Sequence, residues 1–64
     1  MSKVVADYVN DPDNDFDLMV EILDDNEEIA MIRKVEGIYK LIIFENIKRV
    51  EIPLEWLNNV IRKL

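Results

Sequence analysis

From Phe16 onward the chain alternates apolar and polar residues with a period of two. Phe16, Leu18, Val20 and Ile22 fall on one side, and Asp17, Met19 and Glu21 on the other. That spacing suits a half-buried strand, because successive side chains of a strand point to opposite faces. The alternation stops at Asp24–Glu27 and resumes over Glu28–Val35 and Ile38–Phe44, then over Ile47–Ile52. The breaks are short. Gly37 in Glu36-Gly37 supplies a left-handed φ, and Asn46 in Glu45-Asn46 tolerates one. Lys3–Val9 reads as a further extended segment, followed by a loop at Asn10–Asp15.

Two-residue turns fix register. They align Arg33 with Lys40 and Glu51, and Met31 with Ile42 and Arg49. Ile32, Leu41 and Val50 then share a face with Ala30, Tyr39, Ile43 and Ile52, and an odd-length first turn adds Phe16, Leu18, Val20 and Ile22. After the strands, Pro53 suits the first position of a helix. Leu57, Val60, Ile61 and Leu64 make one apolar stripe, and Trp56 beside it fits a core cap better than an interface anchor. Glu55 near the start and Arg62 and Lys63 at the end suit the helix dipole.

The expected fold is therefore α+β. An antiparallel β-meander of four strands, or five if Lys3–Val9 joins it, is followed by one C-terminal amphipathic helix packed on one sheet face. One domain spans residues 1–64: an N-terminal segment and acidic loop (1–15), the meander (16–52) and the helix (53–64). One short helix covers one face. The other would carry apolar Met19, Ile29, Met31, Ile42, Phe44 and Ile47, the expected partner or dimer face, with Arg33, Lys40 and Arg49 set among them.

A chain of 64 residues buries only about 60% of its unfolded surface. Cysteine and histidine are absent, so neither a disulfide nor a thiolate metal site can reinforce it. Association is the remaining route to extra stability. No apolar run is long enough to span a membrane and nothing resembles a signal peptide, so a cytoplasmic location and no membrane partner are expected.

The net charge of −6 is unevenly spread. Up to Glu28 there are ten acidic side chains against Lys3. From Ile29 there are seven basic against four acidic. Asp11, Asp13, Asp15, Asp24, Asp25 and Glu27 form the expected acidic contact region, suited to steering the chain onto a basic surface.

Catalytic and metal chemistry find little support. The one serine is Ser2, and one glycine cannot build a phosphate loop. Asp11-x-Asp13-x-Asp15 resembles the opening of a calcium loop, but Phe16 and Ile22 stand where that loop needs Gly and Glu. No catalytic residue, metal site or cofactor is expected.

Ile32-Arg33-Lys34-Val35-Glu36-Gly37 is similar to the basic strand and Gly turn of single-stranded-DNA-binding transcription cofactors of the positive cofactor four type. Val50-Glu51-Ile52-Pro53-Leu54-Glu55-Trp56-Leu57 resembles their strand-to-helix junction. The resemblance covers about residues 17–64 and implies homodimerisation and contact with single strands. It departs in a shorter last loop, a missing Gly-rich lysine segment and the negative net charge. Arg33, Lys40 and Arg49, beside Phe44, are the residues such binding would use, although Asp17 and Glu21 on that face oppose phosphate.

The leading expectation is a non-catalytic protein–protein interaction module. It would be a homodimer, or bind a protein with a basic surface, as small acidic inhibitors, antitoxins and immunity proteins do. A nucleic-acid-binding cofactor and a structural subunit of a larger assembly are the alternatives.

Overall fold

The computed structural model describes residues 3–45 and 49–64. Four strands form one open antiparallel sheet in chain order: β1 (Val4–Asp11), β2 (Asp17–Asp24), β3 (Glu27–Val35) and β4 (Ile38–Ile43). Pro12–Asn14 makes a single 3₁₀ turn between β1 and β2, and helix α1 (Leu54–Arg62) follows the sheet.

The membership of the sheet differs from the sequence reading. Of Lys3–Val9, expected as an optional strand, all but Lys3 lies in an eight-residue strand that runs from Val4 on to Asp11. Val4, Ala6 and Tyr8 alternate toward the core, which gives this segment a face to bury. Arg49–Ile52 forms no strand, and Ile47 and Lys48 lie outside the described residues. Val50 and Ile52 instead pack against the buried cluster and lead the chain into α1. The expected pairings of Arg49, Val50 and Glu51 with β4 are therefore not formed.

Turn chemistry sets the rest of the register. Asp25 and Asn26 (φ 50° and 70°) and Glu36 and Gly37 (φ 53° and 79°) are two-residue hairpin loops with both central residues left-handed. Such loops match the twist of the flanking strands. They place Arg33 opposite Lys40, Ile32 opposite Leu41 and Met31 opposite Ile42, as expected. The β1–β2 connection is tighter than an open loop. The Phe16 N–H donates to the Asp11 carbonyl at 2.8 Å, and Phe16 takes φ 59°. Phe16 was expected on the core face. Here it sits in the turn, 66% exposed.

A bulge shapes the core. Ile22 pairs with Ala30 but Leu23 pairs with Glu28, so Ile29 is an extra residue in β3. The bulge turns Ile29 inward with Ile22 and Ala30, away from the partner face expected for it. Val20, Ile22, Ile29, Ala30, Ile32 and Val60 form the buried cluster. Val20 and Ile22 are fully enclosed, and burial of each side chain is worth about 1.5–3 kcal/mol.

Helix α1 has no side-chain cap at Pro53. Val60 anchors it in the cluster, with Trp56, Leu57 and Leu64 partly buried beside it. The Tyr8 hydroxyl donates to the Val60 carbonyl at 3.3 Å. The buried stripe is thus Trp56, Leu57, Val60 and Leu64, while Ile61, expected in it, is 49% exposed. No described helix is long and apolar enough to cross a membrane.

Candidate interaction surface

A helix of nine residues is about 14 Å long at 1.5 Å per residue. It cannot cover four strands. Tyr8 draws it toward β1, and a cleft lined by Val4, Ala6, Tyr8, Trp56 and Lys63 lies along that side. On its other side a mostly apolar groove of about 290 Å³ opens toward β4, lined by Ile32, Tyr39, Leu41, Leu57, Ile61 and Leu64, with Lys40 at its border.

Beyond the groove the apolar side chains are open. On the helix side of β4, Tyr39, Leu41 and Ile43 are 38%, 47% and 69% exposed. Ile38, Leu54 and Ile61 are exposed as well. The sequence reading placed Tyr39, Leu41 and Ile43 in the core, because their face is the core face. The residue type was right for burial; the helix does not reach them.

The main chain of this strand is also open. The Phe44 N–H donates to the Ile29 carbonyl at 3.0 Å, so the even-numbered N–H groups of β4 face β3. Strand alternation then directs the N–H and C=O of Tyr39, Leu41 and Ile43 outward. Among the described residues no strand pairs with this edge. Tyr39 is nevertheless held in place. Its hydroxyl donates to the Leu18 carbonyl at 3.1 Å, and the Lys34 ammonium sits 5.3 Å from its ring centre. Lys34 in turn reaches Asp17 at 2.7 Å, and that hydrogen bond raises its pKa.

Met19, Met31 and Ile42 share the sheet face away from α1, but Met19 is buried. Met19 stands next to Val20, the partner of Ile32, and so is Arg33's neighbour across the ladder. Arg33 stretches over β2 to Asp11, 2.9 Å away, and closes over this position. Phe44 is half-buried just beyond β4, and Ile47 lies outside the described residues.

Arg33, Lys40 and Arg49 do not form one basic strip. Arg33 is held by Asp11 and by Asp13 at 3.3 Å. Lys40 is exposed on β4. Arg49 lies outside the sheet, 3.8 Å from Glu51.

The acidic residues are likewise divided. Asp11, Asp13 and Asp15 are at the β1–β2 end of the sheet, and Asp24, Asp25 and Glu27 at the opposite end, separated by the length of β2. They are two regions, not one. Asp11 is buried and structural. It caps the 3₁₀ turn by accepting the Asp13 N–H at 3.0 Å, and it accepts Asn14 Nδ2 at 2.7 Å. The Asn14 hydrogen bond leads in holding its pKa below the ordinary aspartate range, with Asp13 N–H and Arg33 adding to it against the opposing effect of burial. The carboxylate that would open a calcium loop is thus already fully engaged. Between the two ends, Asp7 stands directly opposite Glu21. Burial, followed by the charge of Glu21, pushes the Glu28 pKa up.

No protein-family model, curated protein or solved structure matches this chain.

Proposed function

We propose that this chain is a non-catalytic protein-binding module that engages its partner through the β4 edge and the adjoining groove. One observation carries the reading: among the described residues β4 ends the sheet, no strand pairs with the outward backbone groups of Tyr39, Leu41 and Ile43, and their apolar side chains stand exposed beside them. Natural edge strands are blunted by charged side chains, prolines or bulges, since an open apolar edge templates pairing with another chain. β4 has no proline or bulge between Ile38 and Ile43, and its one charge is Lys40, which the register sets on the other face although it also borders the groove. Addition of a strand to such an edge is a recurring recognition mode. Main-chain hydrogen bonds give affinity there, and alternate side chains entering a groove give specificity.

The test is partner capture from the native host with the wild-type chain and with Leu41→Lys plus Ile43→Lys. Both positions are exposed, so the variant is expected to keep its circular dichroism spectrum and to lose the bound proteins. A folded variant that retains the same proteins would remove the β4 edge as the binding surface.

A further inference from the structure

We infer that the occupant of the β4 edge is a second copy of this chain, paired antiparallel about a two-fold axis through Leu41. The inference rests on reading β4 as a binding edge.

Bonding geometry limits the arrangements. Only odd-numbered residues of β4 direct their N–H and C=O outward, so odd residues must face odd residues across the joint. Directly opposed residues of an antiparallel pair share a face, which sets both α1 helices on the same side of the joined sheet. Three centres lie near the middle of the strand; axes nearer its ends oppose fewer of Tyr39, Leu41 and Ile43 to one another. An axis at Lys40 sets two ammonium groups directly opposite each other, which is unfavourable. An axis at Ile42 sets Tyr39 against Glu45 of the second copy. An axis at Leu41 sets Leu41 against the second copy's Leu41, and Tyr39 against the second copy's Ile43. Every outward N–H and C=O of Tyr39, Leu41 and Ile43 is then paired, and Lys40 lies beside the second copy's Ile42. The exposed apolar side chains meet each other, and the two grooves face one another across the joint.

Charge points the same way. Copies carrying −6 each repel, so a joint between them must avoid the acidic residues. Ten of the fourteen precede Ile29 and lie on β1, β2, their turns and the start of β3, whereas β4 is the far edge and carries Lys40 alone, with Glu36 and Glu45 beyond its two ends. A basic partner would be drawn to the acidic ends instead.

Two measurements on the purified chain test this. The first is amide exchange with sedimentation over a dilution series, with no other protein present. The expected result is a dimer in which the Tyr39, Leu41 and Ile43 amides are protected as well as the even-numbered ones, and in which that protection falls on dilution. A monomer at high micromolar concentration overturns the inference. If the same three amides of that monomer become protected on adding another protein, the edge still binds and only the self-pairing has failed. A dimer whose three amides exchange freely overturns both readings. The second measurement fixes the register. The chain has no cysteine, so Leu41→Cys and Ile43→Cys can be oxidised separately. Opposed residues at position 41 lie about 5.5 Å apart between Cα atoms, within disulfide reach, whereas position 43 faces Tyr39. Leu41→Cys should form the covalent dimer at least about tenfold faster, although Ile43 is the more exposed. Equal rates overturn the axis at Leu41.

Discussion

Arg33 of β3 lies 2.9 Å from Asp11 at the end of β1, and the bridge spans the intervening strand β2. It ties the edge strand β1 to the centre of the sheet on the face that α1 leaves bare. Asp11 serves the turn as well, through Asp13 and Asn14, so one buried carboxylate holds both a turn and a strand.

Removing that carboxylate should therefore do more than removing its exposed neighbour. Asp13 also contacts Arg33, but its side chain is 79% exposed, and pairs of that kind contribute about 0–1 kcal/mol. Asp11→Ala leaves a partly buried guanidinium and the turn donors without their acceptor, a loss that exceeds a surface pair. Urea unfolding should give a clearly lower midpoint for Asp11→Ala than for Asp13→Ala. Equal midpoints would show that Asp11 is dispensable.

The same residue sets an acid limit. A carboxyl whose native pKa lies below its unfolded value stabilises the fold fully above the unfolded value, about 3.9 for aspartate. That stabilisation is lost as pH falls through the depressed native pKa. Glu28 has the opposite sign. Its raised pKa favours the fold at low pH, and that contribution disappears as pH rises through the native value, above about 4.3. Tm should thus rise as Glu28 takes up its proton and then fall below about pH 4. Asp11→Asn should flatten the acid limb. An unchanged limb would assign it to other carboxylates.

Most of the strand order was legible in the sequence because turns and alternation are local. Glu36-Gly37 gave the β3–β4 register directly, and the Phe16–Leu23 alternation gave β2 to within a residue or so. The bulge at Ile29 was not legible, since an extra residue leaves no mark on an apolar run such as Ile29-Ala30-Met31-Ile32. The strand expected at Ile47–Ile52 failed for a related reason. Val50 and Ile52 alternate as in a strand, yet alternation also suits a segment that seats two side chains on a core. The candidate site was the least legible part. Tyr39, Leu41 and Ile43 carry the pattern of buried residues, and only the position of α1 over β1–β3 leaves them bare.

Asp7 opposite Glu21 is a like-charge pair in a directly opposed position. Such pairs destabilise by an amount similar to the 0.2–1 kcal/mol that opposite charges contribute there. Glu21→Gln should therefore stabilise the fold at neutral pH, by about 0.2–1 kcal/mol in chemical unfolding. The gain should shrink at high salt, because Asp7 is exposed and Glu21 only half-buried. A loss of stability would mean that Glu21 has a favourable contact that outweighs Asp7.

The two hairpin loops differ in how well their residues suit left-handed backbone. Asp25-Asn26 uses residue types that tolerate it, whereas Glu36 takes φ 53° with an ordinary side chain, and Gly37 takes φ 79°. A Cβ at Gly37 would meet nothing within 4 Å, so any loss there comes from the backbone alone. Gly37→Ala should cost about 1–2 kcal/mol, the penalty of left-handed geometry for an L-residue. Glu36→Asn should act in the opposite direction, because Asn-Gly is the preferred pair for this loop. Since β3 and β4 pair through this turn, Gly37→Ala should also speed amide exchange in Ile38–Ile43 more than in β1. Stability changes of the same sign in both variants would exclude backbone strain as the cause.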